Sequence, residues 1–91
     1  MSWRYEEYRN EQGRVIYKSY SRSFGNLELI VFMKEENFAQ RWRACSPLLF
    51  DVYLGNSFTP ARAIERGLEL FCEEIEKVRS DLAEIKQKEL V

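Results

Sequence analysis

The sequence predicts an α+β fold: an antiparallel β-meander of four to five strands, followed by one long C-terminal α-helix packed on one face of the sheet. Three observations lead there. Turn-forming residues recur at roughly ten-residue spacing through the first 58 positions, and the stretches between them are rich in aromatic and β-branched residues. From Thr59 onward the pattern changes, and apolar residues recur at alternating steps of four and three. The 91 residues are read as a single domain, 1–91, with the sheet in 1–58 and the helix in 59–90.

The turn signals are Asn10-Glu11-Gln12-Gly13, Gly25-Asn26, Glu35-Glu36-Asn37, Ser46-Pro47 and Gly55-Asn56. They delimit strands at about Trp3 to Arg9, Arg14 to Phe24, Leu27 to Lys34, Phe38 to Cys45 and Leu48 to Leu54. In the third strand, alternation puts Leu27, Leu29, Val31 and Met33 on one face and Glu28, Ile30, Phe32 and Lys34 on the other. A two-residue turn at Glu36-Asn37 pairs Val31 with Trp42 and Phe32 with Arg41. The expected core face is then Leu29, Val31, Met33, Phe38, Trp42 and Ala44, to be covered by another layer. A two-residue turn at Gly25-Asn26 places Ser19, Ser21 and Ser23 on the open face with Phe32, whereas a one-residue bulge would place Lys18 and Arg22 there. The serines are assigned to the open face. In the last strand, Leu48, Phe50, Val52 and Leu54 read as core-facing by composition, with Pro47 leaving the register open.

Thr59 suits an N-cap and Pro60 the first helical position, where a missing N–H has no consequence. Ile64, Leu68, Phe71, Ile75, Val78, Leu82 and Ile85 then form a heptad-like seam. Between Ala61 and Ile75 the seam is broadened by Gly67, Leu70 and Cys72, wide enough to lie on a sheet; beyond Ile75 only the strict seam remains. A helix of about 31 residues spans roughly 46 Å, against strands about 20 Å long, so it overhangs after about residue 75. Glu73 with Lys77 and Glu84 with Lys88 are expected as i,i+4 pairs. Gly67 is expected to admit a bulky core group such as Trp42, and Cys72 to be a small core residue.

Composition narrows the chemistry. Fourteen bases against 15 acids give a net charge of −1, which argues against nucleic-acid binding through bulk charge but not through a local basic face. The chain has no histidine, the commonest general base and zinc ligand. Its two cysteines, Cys45 and Cys72, form no CxxC pair, and no glycine-rich phosphate loop occurs. Catalysis, a cofactor and a metal are therefore not expected. No apolar run is long enough for a membrane span or a signal peptide, and the expectation is a cytoplasmic protein.

Two functional expectations follow. The first is a small non-enzymatic regulatory or interaction module, a homodimer through the helix seam Ile75, Val78, Leu82 and Ile85 that docks a protein partner. The alternative is a dimeric single-stranded DNA- or RNA-binding protein using Phe32, Lys34, Arg41 and Arg43 on the open sheet face, since rings stack on bases while cations neutralise phosphates.

Overall fold

The computed structural model describes residues 3–37, 39–56 and 59–90. Five antiparallel strands, β1 (Arg4–Arg9), β2 (Val15–Phe24), β3 (Leu27–Glu36), β4 (Ala39–Ser46) and β5 (Leu49–Asn56), lie side by side in chain order in one open sheet. The helix α1 (Pro60–Glu89) follows and packs on one face of it, as expected. Local chemistry sets each hairpin. The Asn10 side chain accepts hydrogen bonds from the backbone N–H groups of Gln12 and Arg14, closing the β1–β2 turn. Gly25, at φ 66°, leads a two-residue turn that pairs Phe24 with Leu27.

That turn fixes the β2 register. Ser19 pairs with Phe32 and Ser21 with Ile30, so the serines occupy the face away from the helix. Ser19 and Ser21 are nonetheless buried, because short side chains sit below the level of larger neighbours on the adjoining strands, while Ser23 near the turn is exposed. The β3–β4 hairpin differs from expectation by two residues: Val31 pairs with Ala44, Met33 with Trp42 and Phe32 with Arg43. The turn begins at Asn37, whose φ of 51° suits an asparagine, rather than at Glu36. A slip of two preserves the face of every side chain, so Leu29, Val31, Met33, Trp42 and Ala44 form the buried core as anticipated. Phe38, assigned to the same face, lies outside the described residues.

β5 departs further. Ala44 pairs with Val52 but Ser46 with Leu49, one residue out of step, and Asp51 takes up the difference at φ 50°. This bulge brings both Leu49 and Val52 to the core, and Phe50, expected to be core-facing, is 88% exposed. The Ser46 hydroxyl accepts from the N–H groups of Leu48 and Leu49 and holds the turn beside it. A second shift between Trp42 and Arg43 re-aims the end of β5.

α1 starts as its sequence demands. Thr59 Oγ1 accepts from the Arg62 N–H at 3.2 Å and Pro60 occupies the first turn. The helix crosses β3, β4 and β5. Its deepest line is Ala63, Gly67 and Phe71, with Ile64, Leu68, Leu70 and Ile75 half-buried on either side. Small residues at the point of contact bring the helix axis close to the sheet. Cys72, one step round from Phe71, faces solvent and is not a core residue. Lys77 pairs with Glu74 at 3.2 Å rather than with Glu73, while Glu84 and Lys88 pair at 2.7 Å as expected.

Gly67 faces Val31, not Trp42. A Cβ placed on Gly67 would lie 2.7 Å from Val31 Cγ2, closer than side chains approach one another. Alanine there gains about 1 kcal/mol of helix propensity but overpacks a stiff, fully buried valine, at about 1–3 kcal/mol. Gly67→Ala is therefore expected to lower stability by about 1 kcal/mol in denaturant unfolding. The loss should shrink when Val31→Ala is present in the same chain.

Candidate functional site

Two surfaces of this small chain carry side chains that the core does not use. The first is the sheet face opposite α1. Phe32, Lys34, Arg41 and Arg43 all lie there, brought together by the register pairs Phe32 with Arg43 and Lys34 with Arg41. Tyr17 packs on Phe32 with ring centroids 5.9 Å apart, and Tyr8 on Tyr17 at 5.5 Å. On the other side the Arg43 guanidinium lies 5.7 Å from the centre of the Tyr53 ring. Tyr8, Tyr17, Phe32, Arg43 and Tyr53 thus form a continuous band from β1 to β5, about 19 Å across at ordinary strand spacing.

The band is not purely basic. Asp51 lies 3.8 Å from Arg43, and Glu28 lies 3.9 Å from Arg4 towards the other end of the face. Among the described residues, Arg41 Nε is buried without a hydrogen-bond partner. Lys34 is exposed at the margin. Tyr8 and Tyr53 are additions to the set read from sequence. Alternation along Arg4, Glu6 and Tyr8 would have placed the first, and the core-facing assignment of Val52 and Leu54 on either side would have placed the second.

The second surface is the free half of α1. Ile75 is half-buried at the margin of the core, whereas Val78, Leu82 and Ile85 are 46%, 49% and 53% exposed. They continue the sheet-facing line of the helix: at 3.6 residues per turn, they fall within about 60° of Gly67 and Phe71 around the axis. The four seam residues are therefore on one side, but only the first touches the sheet. The overhang gives the chain its length of 62 Å against 27 and 19 Å in the other directions.

No family model, curated protein or solved structure matches this chain. Among the described residues, no helix is long and apolar enough to cross a membrane, and no group of three or more cysteine, aspartate or glutamate side chains is placed to hold a metal ion.

The helix side of β1 and β2 is a third, smaller feature, beyond the strands that α1 crosses. Tyr5 packs on Tyr20 at 4.9 Å, Tyr20 stacks towards Trp42 at 6.4 Å, and Lys18 Nζ lies 5.5 Å from the centre of the Trp42 ring. The Tyr5 hydroxyl donates to Glu7 Oε2 at 2.7 Å, and Arg9 Nε donates to Glu7 Oε1 at 3.1 Å. Deprotonating Tyr5 would remove that donor beside a carboxylate, so its pKa is pushed up from 10.0 to about 12. The same bond, with Arg9, holds Glu7 below the ordinary carboxylate range.

The folded state thus favours neutral Tyr5 and ionised Glu7. The Tyr5 contribution to stability is complete below pH 10 and fades as pH rises towards 12. The Glu7 contribution is retained above the unfolded carboxylate pKa and lost as pH falls through its lowered folded value. Ultraviolet titration of the tyrosinate band should show a phenol ionising near pH 12 in the parent chain. In Glu7→Gln that phenol should move back towards the ordinary range.

Proposed function

We propose that this protein is a small non-enzymatic interaction module, a homodimer through the free half of α1 that docks a protein partner on the open sheet face. One observation supports it above the rest. Val78, Leu82 and Ile85 lie in helical register beyond the sheet, about half-exposed, on the side of α1 that is buried wherever the sheet reaches it. An isolated helical segment of this length is marginal in water, but here the packed first half supplies the nucleus. The second half is preformed and carries an apolar stripe that no other described element covers. The natural occupant is the same stripe of a second copy. The open face would then offer Tyr17 and Phe32, framed by Lys34, Arg41 and Arg43, to an acidic segment carrying an apolar side chain.

Sedimentation equilibrium at tens of micromolar should return twice the 10.9 kDa chain mass. Leu82→Asp should weaken association at least about tenfold, the effect of losing about 1.4 kcal/mol, while far-ultraviolet circular dichroism stays near that of the parent. A single 10.9 kDa species in the parent chain would overturn the dimer.

The ladder of rings from Tyr8 to Phe32, with Arg43 on Tyr53, favours a second reading: a dimeric binder of single-stranded DNA or RNA. Titration of a labelled single-stranded oligonucleotide at low and moderate salt separates the two. Binding that weakens steeply with salt, with the slope reduced by about 1.4 in Arg41→Ala/Arg43→Ala, supports the second reading. No binding at low salt removes it.

A further inference from the structure

Resting on the homodimer reading, we infer that the two helices pair antiparallel, overlapping only through their free halves, and that the position of the sheet dictates this orientation. Val78, Leu82 and Ile85 continue the line of Ala63, Gly67 and Phe71 that rests on β3, β4 and β5. A helix seated on the free seam lies about 8–10 Å from the α1 axis, on the same side as the sheet. In a parallel pair, the first half of the second helix would run through the volume that the first copy's sheet occupies, and the reverse would hold for the other copy. In an antiparallel pair, the first half of the second helix runs away past Leu90, where no sheet stands. Only that orientation lets both copies keep their own cores.

The seam residues fit this arrangement without a gap. With Val78 opposite Leu82 of the second copy, Ile75 comes opposite Ile85, and symmetry repeats both layers, so all four residues are used once in each chain. A register one heptad further out would set Val78 against Glu89. One heptad further in would draw on Phe71, which is already buried against the sheet. In the preferred register Glu89 of the second copy comes level with Phe71, so only the last turn of its helix meets the sheet, at the end where Phe24 packs on Phe71.

Charge alone points the other way. A parallel pair would set Glu74 near Arg79 and Asp81 near Lys86 of the second copy, whereas the antiparallel pair sets Glu74 near Lys88 and brings Asp81 and Arg79 each across the two-fold axis from its own counterpart. Exposed ion pairs are weak and screened by salt, and they cannot offset the overlap of a helix with a packed sheet. Sterics decide the orientation.

The test uses two full-length chains, each carrying Cys45→Ser and Cys72→Ser, one with Ile75→Cys and the other with Ile85→Cys. They are mixed, allowed to exchange, oxidised and weighed by intact mass spectrometry. Antiparallel pairing gives the mixed disulfide and neither self-disulfide, because positions 75 are about 15 Å apart along the axis, as are positions 85. Self-disulfides at both positions, with the mixed species absent, would overturn the orientation and leave the dimer standing. A parent chain that sediments as a monomer, or a dimer giving no disulfide from either chain, overturns the helix-mediated dimer itself.

Discussion

The approach of α1 to the sheet at Gly67 is the contact on which the rest of the structure depends. With no side chain at that position, Val31 and Ala44 come up against the helix backbone. The helix consequently sits low over β3 and β4, Phe71 reaches the Phe24 ring at 5.6 Å, and Ala63 is fully buried. A larger residue at 67 would lift the helix and open the whole layer between Leu29 and Leu49. The same contact fixes which side of α1 faces the sheet, and hence the direction in which Val78, Leu82 and Ile85 point once the sheet has ended.

The order of elements was legible in the residues, because turn chemistry and hydrophobic period are local signals. Asn10, Gly25 and Asn37 each sit where the chain reverses, and Thr59-Pro60 starts the helix. Faces were legible for β2, β3 and β4, since alternation survives a slip of two: Val31 pairs with Ala44 rather than Trp42, yet both expected partners lie on the same side. β5 was not. An aspartate adopting φ 50° inserts an extra residue into the ladder, and parity then reverses for Phe50. No composition rule distinguishes Asp51 in a bulge from Asp51 in a regular strand.

The helix shows a related limit. Apolar content named Ile64, Leu68, Phe71 and Ile75 in the seam; Phe71 lies on the contact line, but close approach favours small side chains, so Ala63 and Gly67 hold the rest of it and Ile64, Leu68 and Ile75 flank it. Phe32, Lys34, Arg41 and Arg43 were placed on one face from alternation alone. Tyr8 and Tyr53 joined them only once both outer strands had a register.

Those outer strands have a bearing on assembly. β1 is exposed along its whole length and reads Arg-Tyr-Glu-Glu-Tyr-Arg, while β5 is interrupted by two irregularities and an aspartate. Charge on one edge and broken pairing on the other both obstruct the addition of a foreign strand. Edge growth is disfavoured at both margins, and the proposed two-fold pairing of helices would be a closed contact that satisfies itself and stops. Raising the local concentration of this chain should fill pairs rather than seed ribbons.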